Sequence, residues 1–386
     1  MTISEYVPAI GEQLNNAWLR KLEYNGHDMK FFTKKSFFEM DNALQSAYYG
    51  ITGATKGMSY REAIGYPKHK TLIGDSGGFQ YYTLRKAGQK LDMTPLQSLR
   101  WQEENCEIMM NLDTPPSIEH LSTMDEIKIA LKESVENFSL FEKKRERNDN
   151  ALLNVLHGHN KHTMNVWYQG VKDFNFDGWA IGNPSLDPVI HAMGLMYLHD
   201  KGEFDKDTCK CIHLFGKGGR NTVPMMAYFA SKMNKKVTFD SSSYNVGSIY
   251  RKYYMPLDIT NHLFFGEKFK TANPNLKELP CECPVCSNIQ DIEDLNRGDL
   301  YAGCLISLHN LYQYRYQCNI MNKIVKVRDK FMEYLKDIRI SKRTIQSIEF
   351  IDFCLNNDFD TAIKRFERIL IPQETKMCKQ RSIFSY

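Results

Sequence analysis

Short apolar segments alternate with longer amphipathic segments through the middle of the chain, and this alternation is its strongest structural constraint. The apolar segments are TLIGD (71–75), EIMMNLD (107–113), ALLNVLHG (151–158), DGWAIG (177–182), CIHLFG (211–216) and KVTFD (236–240). The segments between them, such as VPMMAYFASKMN (223–234), carry apolar residues at helical spacing. Strands that alternate with helices in this way form parallel sheets with helical crossovers. Both an open doubly wound sheet and a closed (β/α)8 barrel satisfy the pattern.

Polar and glycine residues recur at the C-terminal ends of these segments and favour the barrel. They are Asp75, Asp113, His157, Gly182, Gly216 and Asp240. In a closed barrel such ends ring one mouth, where active sites lie, whereas an open sheet would spread them along an edge. We therefore predict an α/β fold, a (β/α)8 TIM barrel whose main part occupies residues 1–270. The glycine-rich run at 216–220 could also cradle a phosphate, although such a turn alone is weak evidence.

Composition limits the class of protein further. Of the 386 residues, 42% are hydrophobic and 25% are charged, which is typical of a packed globular chain. No apolar run reaches the length of about 18 residues that a membrane span needs, and the N-terminus lacks the pattern of a secretory signal. We therefore predict a cytoplasmic protein without a membrane partner. The net charge of +4 permits a polyanionic partner without requiring one.

The character of the sequence changes after about residue 270, where a Pro-, Cys- and Asn-rich loop begins. Cys281, Cys283 and Cys286 form a C-x-C-x2-C motif, whose thiolates suit the tetrahedral geometry of zinc. His309, on a predicted helix, is the best fourth ligand, and Cys304 is the weaker alternative. Four protein ligands would close the site and make the zinc structural. We predict a zinc-binding module at 271–320, followed by C-terminal helices at 321–386 that complete the barrel.

Five motifs, taken in order, resemble the guanine transglycosylase family. They are GDSGGFQ (74–80), NLDTPP (111–116), FDGWAIG (176–182), TFD (238–240) and the cysteine motif followed by HNL. That family includes tRNA-guanine transglycosylases and their DNA-acting relatives, the DpdA proteins of phages and bacterial modification clusters. The resemblance covers roughly residues 70–320, while the N-terminal 70 residues match poorly. It implies a barrel with a zinc module, and exchange of a polynucleotide guanine for a 7-deazaguanine base such as preQ0.

The resemblance also implies roles for individual residues. Asp240 stands at the position of the nucleophile, Asp75 at that of the general acid/base, and Asp113 at that of the carboxylate that reads the guanine edge. An N-glycosidic bond breaks through an oxocarbenium-like transition state, which a carboxylate beneath the sugar can trap covalently. The stacking aromatic and the other predicted substrate-binding residues are Phe79, Gln80, Ser76, Gly77, Gly78, His157, Gly182 and Asn183.

Plainer roles exist for the same residues. An Asp at a strand end commonly caps a helix or a turn, which applies to Asp75, Asp113 and Asp240. His157 stands where the family has an amide, and it could donate to the base carbonyl or pack at the barrel rim. The family also produces non-catalytic, zinc-stabilised partner subunits, and such a subunit is an alternative to an enzyme here. Subunits of that kind tend to lose the catalytic carboxylates, whereas Asp75, Asp113 and Asp240 are all present in this chain.

The stretch after Asp240 departs from the tRNA enzymes, which carry arginines there that grip the anticodon loop. SSSYNVGSIYRKYYMP (241–256) has no arginine before Arg251. This absence favours DNA as the polymer, with tRNA as the first alternative. Four tyrosines in the stretch could stack on unpaired bases or pack in the barrel wall: Tyr244, Tyr250, Tyr253 and Tyr254.

The same reasoning names the remaining partners. A DNA-acting enzyme of this family needs its target base outside the duplex, so an accessory protein that opens DNA is one predicted partner. A second copy of the chain is another, since members of the family dimerise near the zinc module. The resemblance to phage proteins places such an enzyme in a bacterial or phage-infected host cytoplasm.

Overall fold

The structure, a computed structural model, describes residues 3–53, 59–89, 92–117, 120–182, 187–216, 218–266 and 276–370. Its central element is a sheet of eight parallel strands. These strands are β1 (Ser4–Pro8), β4 (Asn42–Ser46), β5 (Thr71–Asp75), β6 (Ile108–Met110), β7 (Ala151–Leu156), β8 (Gly178–Ile181), β9 (Cys211–Leu214) and β10 (Lys236–Ser241). Two hairpins lie outside this sheet and pair β2 (Glu23–Tyr24) with β3 (His27–Asp28) and β11 (Lys252–Met255) with β12 (Asp258–Phe264).

The eight strands follow the order β1-β10-β9-β8-β7-β6-β5-β4. The first strand pairs with β10 in a register that sets Val7 opposite Asp240. At its other side the chain meets β4, because Ala9 forms a parallel bridge with Leu44 and the Ile10 N–H donates to the Leu44 carbonyl at 2.8 Å. These contacts bring the two ends of the sheet together. The prediction of a barrel over an open doubly wound sheet is therefore confirmed.

Helices cover the outside of the barrel. Those of the first half are α1 (Glu12–Leu19), α2 (Ala47–Thr52), α3 (Tyr60–Ile64), α4 (Gly78–Lys86), α5 (Pro95–Asn105), α6 (Met124–Lys144), α7 (Lys161–Val171) and α8 (Pro188–Asp200). Those of the second half are α9 (Val223–Lys232), α10 (Ser243–Ile249), α11 (Glu293–Asn296), α12 (Leu300–Ile324), α13 (Arg328–Asp337), α14 (Lys342–Cys354), α15 (Phe359–Arg365) and α16 (Glu367–Leu370). Within the described ranges, every helix is too short or too polar to cross a membrane.

The barrel interior has its own apolar core, separate from the larger core between strands and helices. It includes Val7, Leu44, Ile73, Ile108, Leu153, Val155 and Ala180. Successive side chains of a strand point to opposite faces, so residues two positions apart share a face. Asp75 and His157 lie two positions after Ile73 and Val155, so their side chains point into the barrel interior as well. Apolar side chains fill the lower interior, and polar side chains occupy the mouth above them.

Sequence reasoning did not identify two of the eight barrel strands, β1 and β4, which both lie in the N-terminal 70 residues. Both are short and mix polar with apolar residues. Their buried polar groups are matched by distant partners: Ser4 by Asn322, and Gln45 by the Tyr60 hydroxyl at 2.8 Å. Helix α12, which carries Asn322, crosses the predicted domain boundary at residue 320 and packs against β1.

Substitution of Asn322 by Ala should destabilise the barrel where its first strand begins. The buried Asn322 side chain accepts from the Ser4 N–H at 3.1 Å and donates to the Ser4 carbonyl at 2.8 Å. Because these groups are buried, we expect the free energy of unfolding to fall by about 1–3 kcal/mol in urea titrations. Asn356→Ala, at an exposed position just after α14 where the amide donates to the Asp352 carbonyl, should cost less than about 0.5 kcal/mol. Equal losses would contradict this role of Asn322.

Candidate active site and metal centre

The predicted catalytic residues lie together at the C-terminal ends of the barrel strands. Asp75 ends β5, Asp240 lies near the end of β10, and His157 directly follows β7. Asp113 lies three residues beyond β6. The charges of Asp113 and Asp240 both act on the Asp75 carboxyl, which places the three carboxylates in one shared environment. Parallel strands produce this grouping because all their carboxyl ends meet at one mouth.

Asp75 is the carboxyl group whose protonation the fold changes most clearly. Burial raises its pKa to about 7, and the neighbouring charges of Asp113 and Asp240 act in the same direction. Its Oδ1 accepts a hydrogen bond from the Gly77 N–H at 3.3 Å, within a turn that Gly77 makes at φ 89°. Helix α4 begins after Gly77 without a side-chain cap, so Asp75 is not a helix cap. Near pH 7 this carboxyl can both give and take a proton.

Asp113 and His157 form a buried pair. The His157 Nε2 lies 2.6 Å from Asp113 Oδ2, and the ring meets the edge of Trp167. Two glycines permit this packing: a Cβ at Gly182 would lie 2.6 Å from the His157 ring, and one at Gly78 would lie 2.3 Å from the Asp113 carbonyl oxygen. The His157 Nδ1 has no hydrogen-bond partner among the described residues. His157 thus binds a carboxylate at the rim, and its contact with a base stays a prediction.

Asp240 is held by a residue that sequence reasoning missed. Its Oδ1 lies 3.2 Å from His213 Nε2 and accepts from the Gly216 N–H at 2.7 Å. Helix α10 begins after Ser242 without a side-chain cap, so Asp240 is not a helix cap either. The sequence did contain a signal for His213. Alternate residues of the strand CIHLFG share a face, and this places His213 beside Cys211 in the barrel interior.

The glycine-rich run at 216–220 contacts neighbouring strands, and its binding of a phosphate stays a prediction. The Gly216 N–H donates to Asp240, and the Arg220 guanidinium contacts Asp258 and Thr260. Lys217 lies outside the described residues. The first glycine of the run therefore serves the Asp240 carboxylate.

The other predicted pocket residues differ in accessibility. Phe79, in the first turn of α4, is 37% exposed, as a stacking aromatic requires. The Gln80 side chain accepts from the Ser46 hydroxyl at 3.2 Å. Ser76 is fully buried, and within the described part of the chain its hydroxyl has no hydrogen-bond partner. Asn183 lies outside the described residues.

The tyrosines that follow Asp240 divide between core and surface. Tyr244 and Tyr253 are fully buried, so the interpretation that they stack on bases is wrong. Tyr254 is half-buried, and its N–H donates to the Asn310 side chain at 2.9 Å. Tyr250 is 53% exposed and remains available to a partner. Tyr244 and Tyr253 are buried because helix α12 packs against α10 and β11, the elements that carry them.

The four predicted metal ligands converge. The ligand atoms of Cys281, Cys283, Cys286 and His309 all lie within 4.8 Å of one another. His309 comes from helix α12, as predicted, whereas the Cys304 thiol faces the Gln13 carbonyl and lies outside the cluster. Cys304 as the fourth ligand is therefore wrong. Three sulfurs and one nitrogen at this spacing fit a tetrahedral zinc ion.

Surrounding groups orient these ligands. The His309 Nε2 lies 2.8 Å from the Tyr254 carbonyl, which can only accept, so Nε2 carries the hydrogen and Nδ1 offers its lone pair to a metal. The Nδ1 faces the Cys286 sulfur at 3.2 Å. The Gln313 amide donates to the Cys281 sulfur at 3.2 Å, and the Tyr253 ring stacks on His309 with centroids 3.7 Å apart. The cluster is therefore ordered by the same helix and hairpin that cover the barrel.

Comparison with known proteins agrees with this geometry. A family model described as queuine tRNA-ribosyltransferase matches residues 53–343, well over half of the chain. The match includes the strand ends at Asp75, Asp113 and Asp240 and all four residues of the metal cluster.

Several curated relatives are similar over much of the chain. A tRNA-guanine(15) transglycosylase of Methanocaldococcus jannaschii is 28% identical over 63% of this chain and 35% of its own length. The same protein of Methanosarcina barkeri is 27% identical over 66% of this chain and 48% of its own length. A queuine tRNA-ribosyltransferase of Vibrio parahaemolyticus is 23% identical over 70% of this chain and 74% of its own length. The chain thus spans less than half the length of the archaeal relatives. The extent of the family match establishes that the chain belongs to the queuine tRNA-ribosyltransferase family, the guanine transglycosylases.

Proposed function

We propose that this protein exchanges a guanine of a tRNA for a 7-deazaguanine base through a covalent intermediate on Asp240. The observation that carries the proposal is the grouping of three carboxylates with different hydrogen-bond partners at one barrel mouth. Family membership supplies the reaction class, and the relatives named above are described as acting on tRNA. The reaction needs no redox step, since one glycosidic bond replaces another.

The first step is displacement of guanine by Asp240. A carboxylate beneath the sugar stabilises the oxocarbenium-like transition state and then forms a glycosyl ester, as in retaining glycosidases. The electron pair of the broken bond passes to the departing base. Asp75, with its pKa near 7, is suited to protonate that base and to accept a proton from the incoming one.

Asp113 is suited to recognition of the base. Guanine presents N1–H and an exocyclic amine, both donors, and a carboxylate accepts from both. The His157 Nε2 at 2.6 Å from Asp113 Oδ2 fixes the orientation of this carboxylate. Phe79 supplies an exposed aromatic face, which offsets part of the cost of unstacking the base.

The polymer is the part of the proposal on which the sequence and the comparisons differ. The missing arginines after Asp240 favour DNA, and four nearby tyrosines are candidates to contact unpaired bases of either polymer. Two of the four, Tyr244 and Tyr253, lie in the core. The similar proteins are described as tRNA enzymes. We therefore take tRNA as the substrate and keep duplex DNA as the competing outcome.

Incubation with a labelled 7-deazaguanine should transfer label to tRNA and not to duplex DNA. Asp240→Asn keeps the shape of the side chain but removes the nucleophile, so exchange should fall by at least roughly 10³-fold and the covalent adduct should disappear from denaturing gels. Asp149→Asn, in an exposed pair with Arg147, should leave both unchanged. Label found in DNA alone would show that the substrate is DNA and not tRNA. Exchange absent from the wild type would favour the non-catalytic partner subunit.

The pH dependence of exchange should follow Asp75. Its folded pKa is raised to about 7, so the proton-donating form is present below that pH and is lost as the pH rises through it. We expect kcat/KM for the polynucleotide to be level near pH 6 and to fall about tenfold per unit above about pH 7. Asp75→Asn should be slower by roughly 10²–10⁴-fold and lack this alkaline decline. A level wild-type profile to about pH 9 would remove Asp75 from the role of acid.

Zinc in the Cys3His cluster would be structural, since all four ligands come from the protein. Cys283→Ser should lower the metal content from about one zinc per chain to a small fraction and lower the Tm by roughly 5–10 °C. Cys354→Ser alters another buried thiol, which lies outside the cluster, and should leave the zinc content unchanged. Elemental analysis and thermal unfolding measure both. Full activity and an unchanged Tm after complete loss of zinc would contradict a structural metal.

A further inference from the structure

His213 lies inside the barrel, fully buried, and its ring is fixed at both nitrogens. The Nδ1 lies 2.8 Å from the Thr238 hydroxyl, and the Nε2 lies 3.2 Å from Asp240 Oδ1. The Phe215 ring meets it edge to face. A hydroxyl can donate or accept, whereas a carboxylate oxygen only accepts. The Nε2 therefore carries a hydrogen and donates it to Asp240.

The two oxygens of Asp240 differ as a result. Oδ1 accepts from His213 and from the Gly216 N–H at 2.7 Å, whereas no hydrogen bond to Oδ2 is found within the described residues. The side-chain donor His213 lies in β9, and Gly216 follows that strand by two residues. Strand β9 and the turn that follows it thus present a side-chain donor and a backbone donor to one oxygen of the neighbouring strand β10.

We infer that His213 is a positioning residue that makes Oδ2 of Asp240 the nucleophilic oxygen and eases the breakdown of the covalent intermediate. The inference rests on the proposed base exchange. In the first step a lone pair of Oδ2 forms the bond to C1′, the C1′–N9 bond breaks, and its electron pair leaves with guanine. Oδ1 becomes the carbonyl oxygen of the ester. In the second step the incoming base bonds C1′ and gives its ring N–H proton to Asp75, which protonated the departing guanine in the first step, and the C1′–Oδ2 electron pair returns to Asp240.

The donors to Oδ1 act mainly on the second step. Hydrogen bonds to a charged carboxylate are stronger than those to a neutral ester carbonyl. His213 and Gly216 therefore stabilise free Asp240 more than the ester, which makes the carboxylate a better leaving group. Removal of one donor should slow breakdown more than formation, so that the intermediate accumulates. A side chain with only a packing role would not change the balance between the two steps.

The test compares variants of the full-length protein by rapid quench, with the covalent adduct to the polynucleotide resolved on denaturing gels. His213→Leu should slow adduct breakdown by roughly 10- to 100-fold, raise the steady-state adduct and lower kcat with little change in KM. His213→Gln, which keeps an N–H donor near the Nε2 position, should restore breakdown to within about tenfold of the wild type. Thr238→Val keeps the imidazole but removes the hydroxyl that contacts its Nδ1. It should slow adduct breakdown too, but less than His213→Leu does.

Ile212→Val is the matched control, since it reduces a buried side chain of the same strand that packs against the helices. It should lower stability slightly and leave both steps unchanged. If His213→Leu does not fold, Thr238→Val and His213→Gln carry the comparison. An adduct lifetime in His213→Leu, or in Thr238→Val if His213→Leu does not fold, equal to that of Ile212→Val would overturn the role of His213 and leave the proposed function standing. A wild-type protein that forms no adduct with tRNA or DNA would overturn the proposed function, and this inference with it.

Discussion

The closure of the sheet between β1 and β4 is the contact on which the candidate site depends. In the strand order, β5 and β10 stand near opposite ends of the sheet, five strands apart. At about 4.8 Å per strand, an open sheet would separate Asp75 and Asp240 by roughly 24 Å. The parallel bridge of Ala9 with Leu44 joins the ends, so that only β1 and β4 lie between them. The electrostatic effect of Asp240 on Asp75 is a consequence of this closure.

Three carboxylates in one barrel mouth repel one another, and the structure surrounds each of them differently. Asp75 accepts a hydrogen bond from the Gly77 N–H, and burial raises its pKa. Asp113 and Asp240 each face a buried histidine from the adjacent strand, His157 and His213. Environments that differ in this way can assign acid and nucleophile roles to chemically identical groups. The proposed separation of roles therefore rests on burial and partners, because the three side chains are the same.

Helix α12 connects the metal cluster to the barrel. Near its middle it supplies His309 to the cluster, and near its end Asn322 holds the start of β1. It also packs against α10 and β11, the elements that follow Asp240. The stack of Tyr253 on His309 adds a direct contact between β11 and the cluster. The same helix therefore carries a ligand of the cluster and holds β1, the strand that closes the barrel.

Much of the fold was predictable because its signals are local. Six strands followed from apolar runs bounded by polar residues, and the cysteine spacing indicated a metal cluster within one loop. The signals of β1 and β4 are weak in isolation. Ser4 and Gln45 are buried polar residues whose partners, Asn322 and Tyr60, lie far away in sequence or in another element.

The sequence by itself determined the period-two and helical patterns, the order of the strand-end carboxylates and the C-x-C-x2-C motif, whereas the choice of His309 over Cys304 needed the tertiary structure. Only the tertiary structure decided which groups surround each carboxylate. It showed that His213 contacts Asp240, and that Tyr244 and Tyr253 lie in the core and not on the surface. The physical reason is that hydrogen bonding and burial depend on neighbours from other strands. Those neighbours are set by closure of the barrel and not by the local pattern of the chain.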